Sequence, residues 1–148
     1  MAADKTGNVT LVVRETIRAT PERLFAAWTE PEQLQAWWGP DNVTCVGAEV
    51  ELRVGGRYRI GNRFPDGKVL WIAGRFEAIE APRKLVYTWS IEGAGREPER
   101  VTVEFVPQGE VTEVRVTHER IADEATADMH RLGWQGCLRG LQEHFAPG

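Results

Sequence analysis

Few residues in this chain are of types that do chemistry, and their spacing narrows the options further. The three histidines, His118, His130 and His144, do not stand at the short ligand spacings of a zinc site, so no metal is expected. His118 and His130 converge only if the strand carrying the first crosses the helix carrying the second. On an inward strand position, His118 offers a neutral imidazole that could hydrogen-bond the polar end of a bound molecule or act as a general base. It could equally be a core histidine satisfied by a backbone carbonyl or water. Glu15 is the other unusual group, a carboxylate on an apolar strand face, which must lie at a wet edge or face an arginine to avoid a burial cost of several kcal/mol. Cys45 and Cys137 have no CxxC partner. HExxH, GxSxG and P-loop patterns are absent, and Gly55-Gly56 falls between strands instead of ahead of a helix, so it reads as a turn and not a phosphate cradle. No catalytic residue and no cofactor are assigned.

The elements that must position these groups follow from periodicity. Apolar and polar residues alternate from Val9 to Arg18, a half-buried strand. Thr20-Pro21-Glu22 then reads as a helix start, with a hydroxyl N-cap and proline in the first turn, and Thr29-Glu30-Pro31-Glu32 repeats the signal for a second short helix ending at Gly39-Pro40. Six strand-like runs follow, at 43–54, 57–64, 69–79, 85–91, 100–106 and 111–118, joined by short Gly, Pro and Asp turns that favour antiparallel hairpins. Alternation puts Val46, Ala48, Val50 and Leu52 inward on the first of these runs. It does the same for Tyr58 and Ile60, then Leu70, Ile72, Gly74 and Phe76, then Leu85, Tyr87 and Trp89. On the last two strands the inward set is Val101, Val103 and Phe105, then Val114, Val116 and His118. From Asp123 to Phe145 the period becomes helical, with His130, Trp134, Cys137, Leu138, Leu141 and Phe145 on one stripe. A one-sided sheet needs a cover, and this helix is the only element long enough to supply it.

Composition bounds the function classes. The chain has 148 residues, 42% hydrophobic and 27% charged, as expected of one ordered domain spanning 1–148. The net charge of -4 is spread without blocks, so neither nucleic acid nor a membrane is an expected partner. The densest basic set, Arg53, Arg57, Arg59 and Arg63, recurs at strand spacing among Glu49 and Glu51 and reads as a solvated face. Residues 1–8 lack a secretory apolar run, and only two cysteines are present, which points to a cytoplasmic protein with reduced thiols; the triplets at Asn8 and Asn42 carry no weight there.

These elements carry a family resemblance. It rests on Ala19-Thr20-Pro21-Glu22-Arg23-Leu24-Phe25 with Trp28, Pro31-Glu32-Gln33-Leu34 with Trp37-Trp38-Gly39-Pro40, and Leu52-Arg53-Val54-Gly55-Gly56-Arg57-Tyr58. Gly74-Arg75-Phe76, Pro82-Arg83-Lys84-Leu85-Val86-Tyr87-Thr88-Trp89, Thr117-His118-Glu119 and Gly133-Trp134 continue it. The ordered set resembles the activator of heat-shock-protein-90 ATPase homologues, within the START-like (SRPBCC, birch-pollen-allergen-like) superfamily. The resemblance implies an α+β helix-grip fold: a seven-stranded antiparallel sheet wrapped round a long carboxy-terminal helix, with two short helices after strand one. It also implies apolar ligands held inside the grip in many members, and cyclase or hydrolase chemistry in a few. In the eukaryotic activator a separate amino-terminal domain carries much of the chaperone contact, whereas strand one begins here by Val9.

The leading expectation is therefore binding of a small hydrophobic or amphipathic molecule in an internal cavity, as a carrier, sensor or sequestering protein, without catalysis. The expected wall is Trp37, Tyr58, Ile60, Ile72, Phe76, Tyr87 and Trp89, with Val103, Val116, His118, Trp134, Cys137 and Leu141. Two alternatives stand beside it: a polyketide cyclase- or hydrolase-like enzyme using His118, and an interaction module whose partner is a chaperone or a second copy of the chain. Gly133, Gly136 and Gly140 each cost about 1 kcal/mol in a helix relative to alanine, which calls for either close helix packing or room for a ligand.

Overall fold

The computed structural model describes residues 7–39 and 42–146. Pro40, where the second short helix is expected to end, lies outside the described residues, as do Asp41, Pro147-Gly148 and residues 1–6. The chain forms β1 (Val9–Ile17), α1 (Pro21–Thr29), α2 (Pro31–Trp37), β2 (Thr44–Val50), β3 (Arg57–Arg63), β4 (Val69–Glu80), β5 (Lys84–Ile91), β6 (Glu99–Gln108), β7 (Val111–Ile121) and α3 (Glu124–His144). All strand pairs are antiparallel, in the order β1-β7-β6-β5-β4-β3-β2. β2 to β7 form a meander, and β1 adds to its far edge against β7. This is the helix-grip architecture.

Local chemistry sets the helix ends. The Thr20 hydroxyl accepts from the Arg23 amide at 3.2 Å, and Asp123 caps α3 by accepting from the Thr126 amide at 2.8 Å. Thr29 does not cap α2 as its pattern suggests: its hydroxyl donates back to the Phe25 carbonyl at 2.8 Å, and the cap falls to Glu30 without a side-chain cap bond.

The inward faces match the alternation on β5, β6 and β7, where Leu85, Tyr87, Val101, Val103, Phe105, Val114, Val116 and His118 are buried. β2 departs from it. A register shift between Cys45 and Gly47 sets Cys45, with Ala48 and Val50, against the core in place of Val46. Leu52 lies past the strand end and is 46% exposed, and Leu70 is 41% exposed. On the outer face the Arg59 guanidinium stacks 4.1 Å from the Trp71 ring and pairs with Glu92 and Glu49. Gly61 makes room for that ring, since a Cβ there would stand 2.8 Å from it.

α3 is gripped along the β1 side. Arg131 and Gln142 donate to the β1 carbonyls of Val12 and Thr16, at 3.4 and 3.0 Å, covering groups that an edge strand leaves open. Lower on the helix, Gly140 lets the α2 terminus approach so closely that a Cβ would stand 2.7 Å from the Trp37 carbonyl oxygen. Gly133, two turns earlier, has nothing within 4 Å of its Cβ position. One glycine is explained by contact, the other by space.

Candidate functional site

That space is a cavity of about 400 Å³ between the amino-terminal half of α3 and the inner faces of β3, β4 and β5. Its floor is mostly apolar: Trp38, Ile72, Trp89, Trp134 and Cys137 form the walls, and Phe64 and Ile91 continue them. It reaches the surface beside the exposed Leu70, Met129, Arg96 and Glu97. The buried indoles near it are all satisfied. Trp38 donates to Asn62 Oδ1 at 2.8 Å, Trp28 to the Tyr87 hydroxyl at 3.3 Å, and Trp37 to the Ala27 carbonyl at 2.8 Å. Trp134 stacks on Trp28 and meets Trp38 edge to face, so one side of the cavity is a rigid aromatic wall.

At the inner end stands a polar cluster. Glu99, first residue of β6, points inward in phase with Val101 and Val103, and is 8% exposed. Its Oε1 lies 2.7 Å from His118 Nε2 and 3.0 Å from His130 Nε2, and the two imidazoles stack with centroids 4.5 Å apart. Strand β7 and helix α3 thus do cross where His118 and His130 can meet. Trp89 closes over both rings at 4.9 and 4.8 Å.

The protonation pattern follows from the one group in the chain of bonds that can only donate. The Trp134 indole N–H donates to His118 Nδ1 at 3.0 Å. Nδ1 is then the bare nitrogen, Nε2 carries the proton, and that proton goes to Glu99. Burial pushes the His118 imidazole below its ordinary range, against the pull of the Glu99 carboxylate, and keeps the ring neutral. Burial alone would raise the Glu99 carboxyl, but the bonds from His118 and His130 outweigh it and hold the group down at about 2. Glu99 is an anion throughout the physiological range.

Glu99, His118 and His130 each offer one ligand atom, all within 4.8 Å of one another, a set of donors that a divalent metal could use. The Trp134 bond opposes that use. A metal needs the Nε2 lone pair, which would move the His118 proton to Nδ1, directly against the indole N–H. The arrangement suits a hydrogen-bonded carboxylate. Acid–base use of His118 is opposed in the same way, because both its nitrogens are engaged and the ring is fully buried. Burial lifts the Cys137 thiol to about 12, so it is not a nucleophile at neutral pH.

Of the residues expected to line a cavity, the wall takes Ile72, Trp89, Trp134 and Cys137. Trp37, Tyr58, Ile60, Phe76, Tyr87, Val103, Val116 and Leu141 are buried in the packed core instead, and His118 lies behind the wall, touching its residues Trp89, Glu99, His130 and Trp134. Glu15 is half-buried in a separate polar groove of about 310 Å³ that it shares with Arg131 and Arg139. Sequence reasoning missed Glu99 and Asn62. Each had a signal: Glu99 continues the inward parity of Val101, and Asn62 that of Tyr58 and Ile60.

Comparison with known proteins bears on the whole chain. The family model described as Activator of Hsp90 ATPase homolog 1-like protein matches residues 18–146. A solved structure of a Chromobacterium violaceum protein is similar at 26% identity, covering 94% of this chain and 98% of its own, with a TM-score of 0.85. An HSP90 activator from Plasmodium falciparum is 25% identical, with 90% and 94% covered and a TM-score of 0.70. The AHSA1-like protein of Aeromonas hydrophila is 25% identical, with 91% and 90% covered and a TM-score of 0.74. No curated protein matches significantly.

Proposed function

Since the chain belongs to the Activator of Hsp90 ATPase homolog 1-like family, whose fold is described above, we propose that it binds a small, largely apolar molecule in the cavity under α3, as a non-catalytic carrier, sensor or sequestering protein acting as one unit in the cytoplasm. The observation that carries this reading is the 400 Å³ hollow with a mostly apolar wall and a buried carboxylate at its inner end. A pocket of this size holds a drug-sized or smaller ligand, and few polar groups at one end are what fixes such a ligand's orientation. The reading predicts neither nucleic acid nor membrane as partner. Among the described residues, no helix is long and apolar enough to cross a membrane.

Activation of HSP90, the activity of the similar Plasmodium falciparum protein, does not require a hollow. The two uses are separated by filling the cavity without harming the fold. A side chain at Gly133 projects into open space, so Gly133→Leu should fold with stability equal to or up to about 1 kcal/mol above the native protein, because it replaces a poor helix former. The same variant should lose binding of 2-naphthaleneethanol, followed by quenching of tryptophan fluorescence. A native protein that never binds the naphthyl probe, or a Leu variant that binds it unchanged, sinks the reading.

A further inference from the structure

We propose that the cavity selects a protonated amine carried on an apolar body, by pairing the ammonium with Glu99 Oε2. The inference rests on the cavity reading above and specifies its ligand. Both hydrogen bonds that hold Glu99 fall on Oε1. Among the described residues none is made to Oε2, and no fully buried side-chain oxygen or nitrogen is left without a partner, so Oε2 is the atom that keeps contact with the cavity. A carboxylate has lone pairs and no proton, and can only accept. What satisfies it from the cavity side must therefore donate.

Three features favour a cationic donor over a neutral one. Two histidine N–H groups already fix the carboxylate as the anion, and the Trp134 bond to Nδ1 prevents His118 from taking up a second proton that would neutralise it. The wall beside it is aromatic, with Trp38, Trp89 and Trp134, whose ring faces attract cations. The charged groups at the mouth, Arg96 and Glu97, are exposed and of opposite sign, so they offset one another and leave the inner anion to set the preference. By the same logic a carboxylate ligand is repelled. An alkyl or aryl amine of up to about 400 Å³ meets all these conditions.

The test uses three probes with one naphthyl body: 2-(2-naphthyl)ethylamine, 2-naphthaleneethanol and 2-naphthylacetate, titrated by calorimetry at pH 7. The expected order is amine, then alcohol about tenfold weaker, then acid without measurable binding. In Glu99→Gln the amine should fall to the level of the alcohol. If the alcohol binds as tightly as the amine, or the acid binds at all comparably, the amine inference is overturned while the cavity reading stands. If none of the three binds, both fail. The ranking on the native protein decides the matter even if the variant does not fold, and circular dichroism of the variant shows whether its result counts.

Discussion

At the scale of single residues, the proposed ligand preference turns on where protons sit among Trp134, His118, Glu99 and His130. The indole is the fixed point, because it donates and cannot accept. Replacing Trp134 by Phe removes that constraint, and the freed Nδ1 can then hold the imidazole proton while Nε2 turns to a metal. Equimolar zinc should raise the melting temperature of Trp134→Phe by several degrees and leave the native protein unchanged. Zinc stabilising the native protein as strongly would show that the indole does not set the tautomer. The acid response has a definite sign. His118 has a depressed folded value, so its neutral form is the native one, and its contribution is complete above the unfolded value near 6.5 and is lost as pH falls below it. Glu99, lowered from 4.5 to about 2, contributes above 4.5 and loses as much as about 3 kcal/mol on the way down to 2. Denaturant midpoints should therefore be flat between about pH 7 and 8 and fall in two stages on acidification, with a separate fall above about pH 9, where the unfolded chain ionises its Cys137 thiol and the folded protein does not. A midpoint that rises between pH 7 and 5 contradicts this protonation scheme.

At the scale of elements, α3 is one helix with two differently packed halves. Its carboxy-terminal half is clamped, with Gly140 against the Trp37 carbonyl and Leu138 and Leu141 fully buried. Its amino-terminal half stands off the sheet at Gly133. Alanine should therefore act in opposite directions at two glycines of the same helix. Gly133→Ala should stabilise by about 0.5 to 1 kcal/mol through helix propensity. Gly140→Ala should destabilise by about 1 to 3 kcal/mol, since its new methyl meets backbone that cannot swing aside. Urea denaturation of the two variants checks it, and equal shifts would refute the two-halves description. Of these glycines, Gly140 is explained by close packing, whereas Gly133 faces open space. Sequence could not divide them, because each depends on the distance from helix to neighbour and not on the helix itself. The order of elements, the meander and the inward faces of β5 to β7 were legible because alternation and turn residues agree there. β2 was misread where a register shift exchanges Val46 for Cys45, a feature with no compositional mark. Glu99 was missed because β6 begins one residue before the first arginine of its alternating run.

At the scale of the molecule, the sheet closes round α3 on the β1 side and leaves the β3 to β5 side open over the helix. That asymmetry makes the cavity. It also distributes the six tryptophans as reporters: Trp38, Trp89 and Trp134 on the cavity wall, Trp28 and Trp37 in the packed core, and Trp71 on the outer face under Arg59. The central claim, that a small apolar molecule occupies this hollow, is tested most directly by nitrogen-15 NMR of the six indole N–H signals during titration with 2-naphthaleneethanol. The account predicts saturable shifts at Trp38, Trp89 and Trp134 and none at Trp71. Unmoved signals throughout, or a response confined to Trp71, would contradict it.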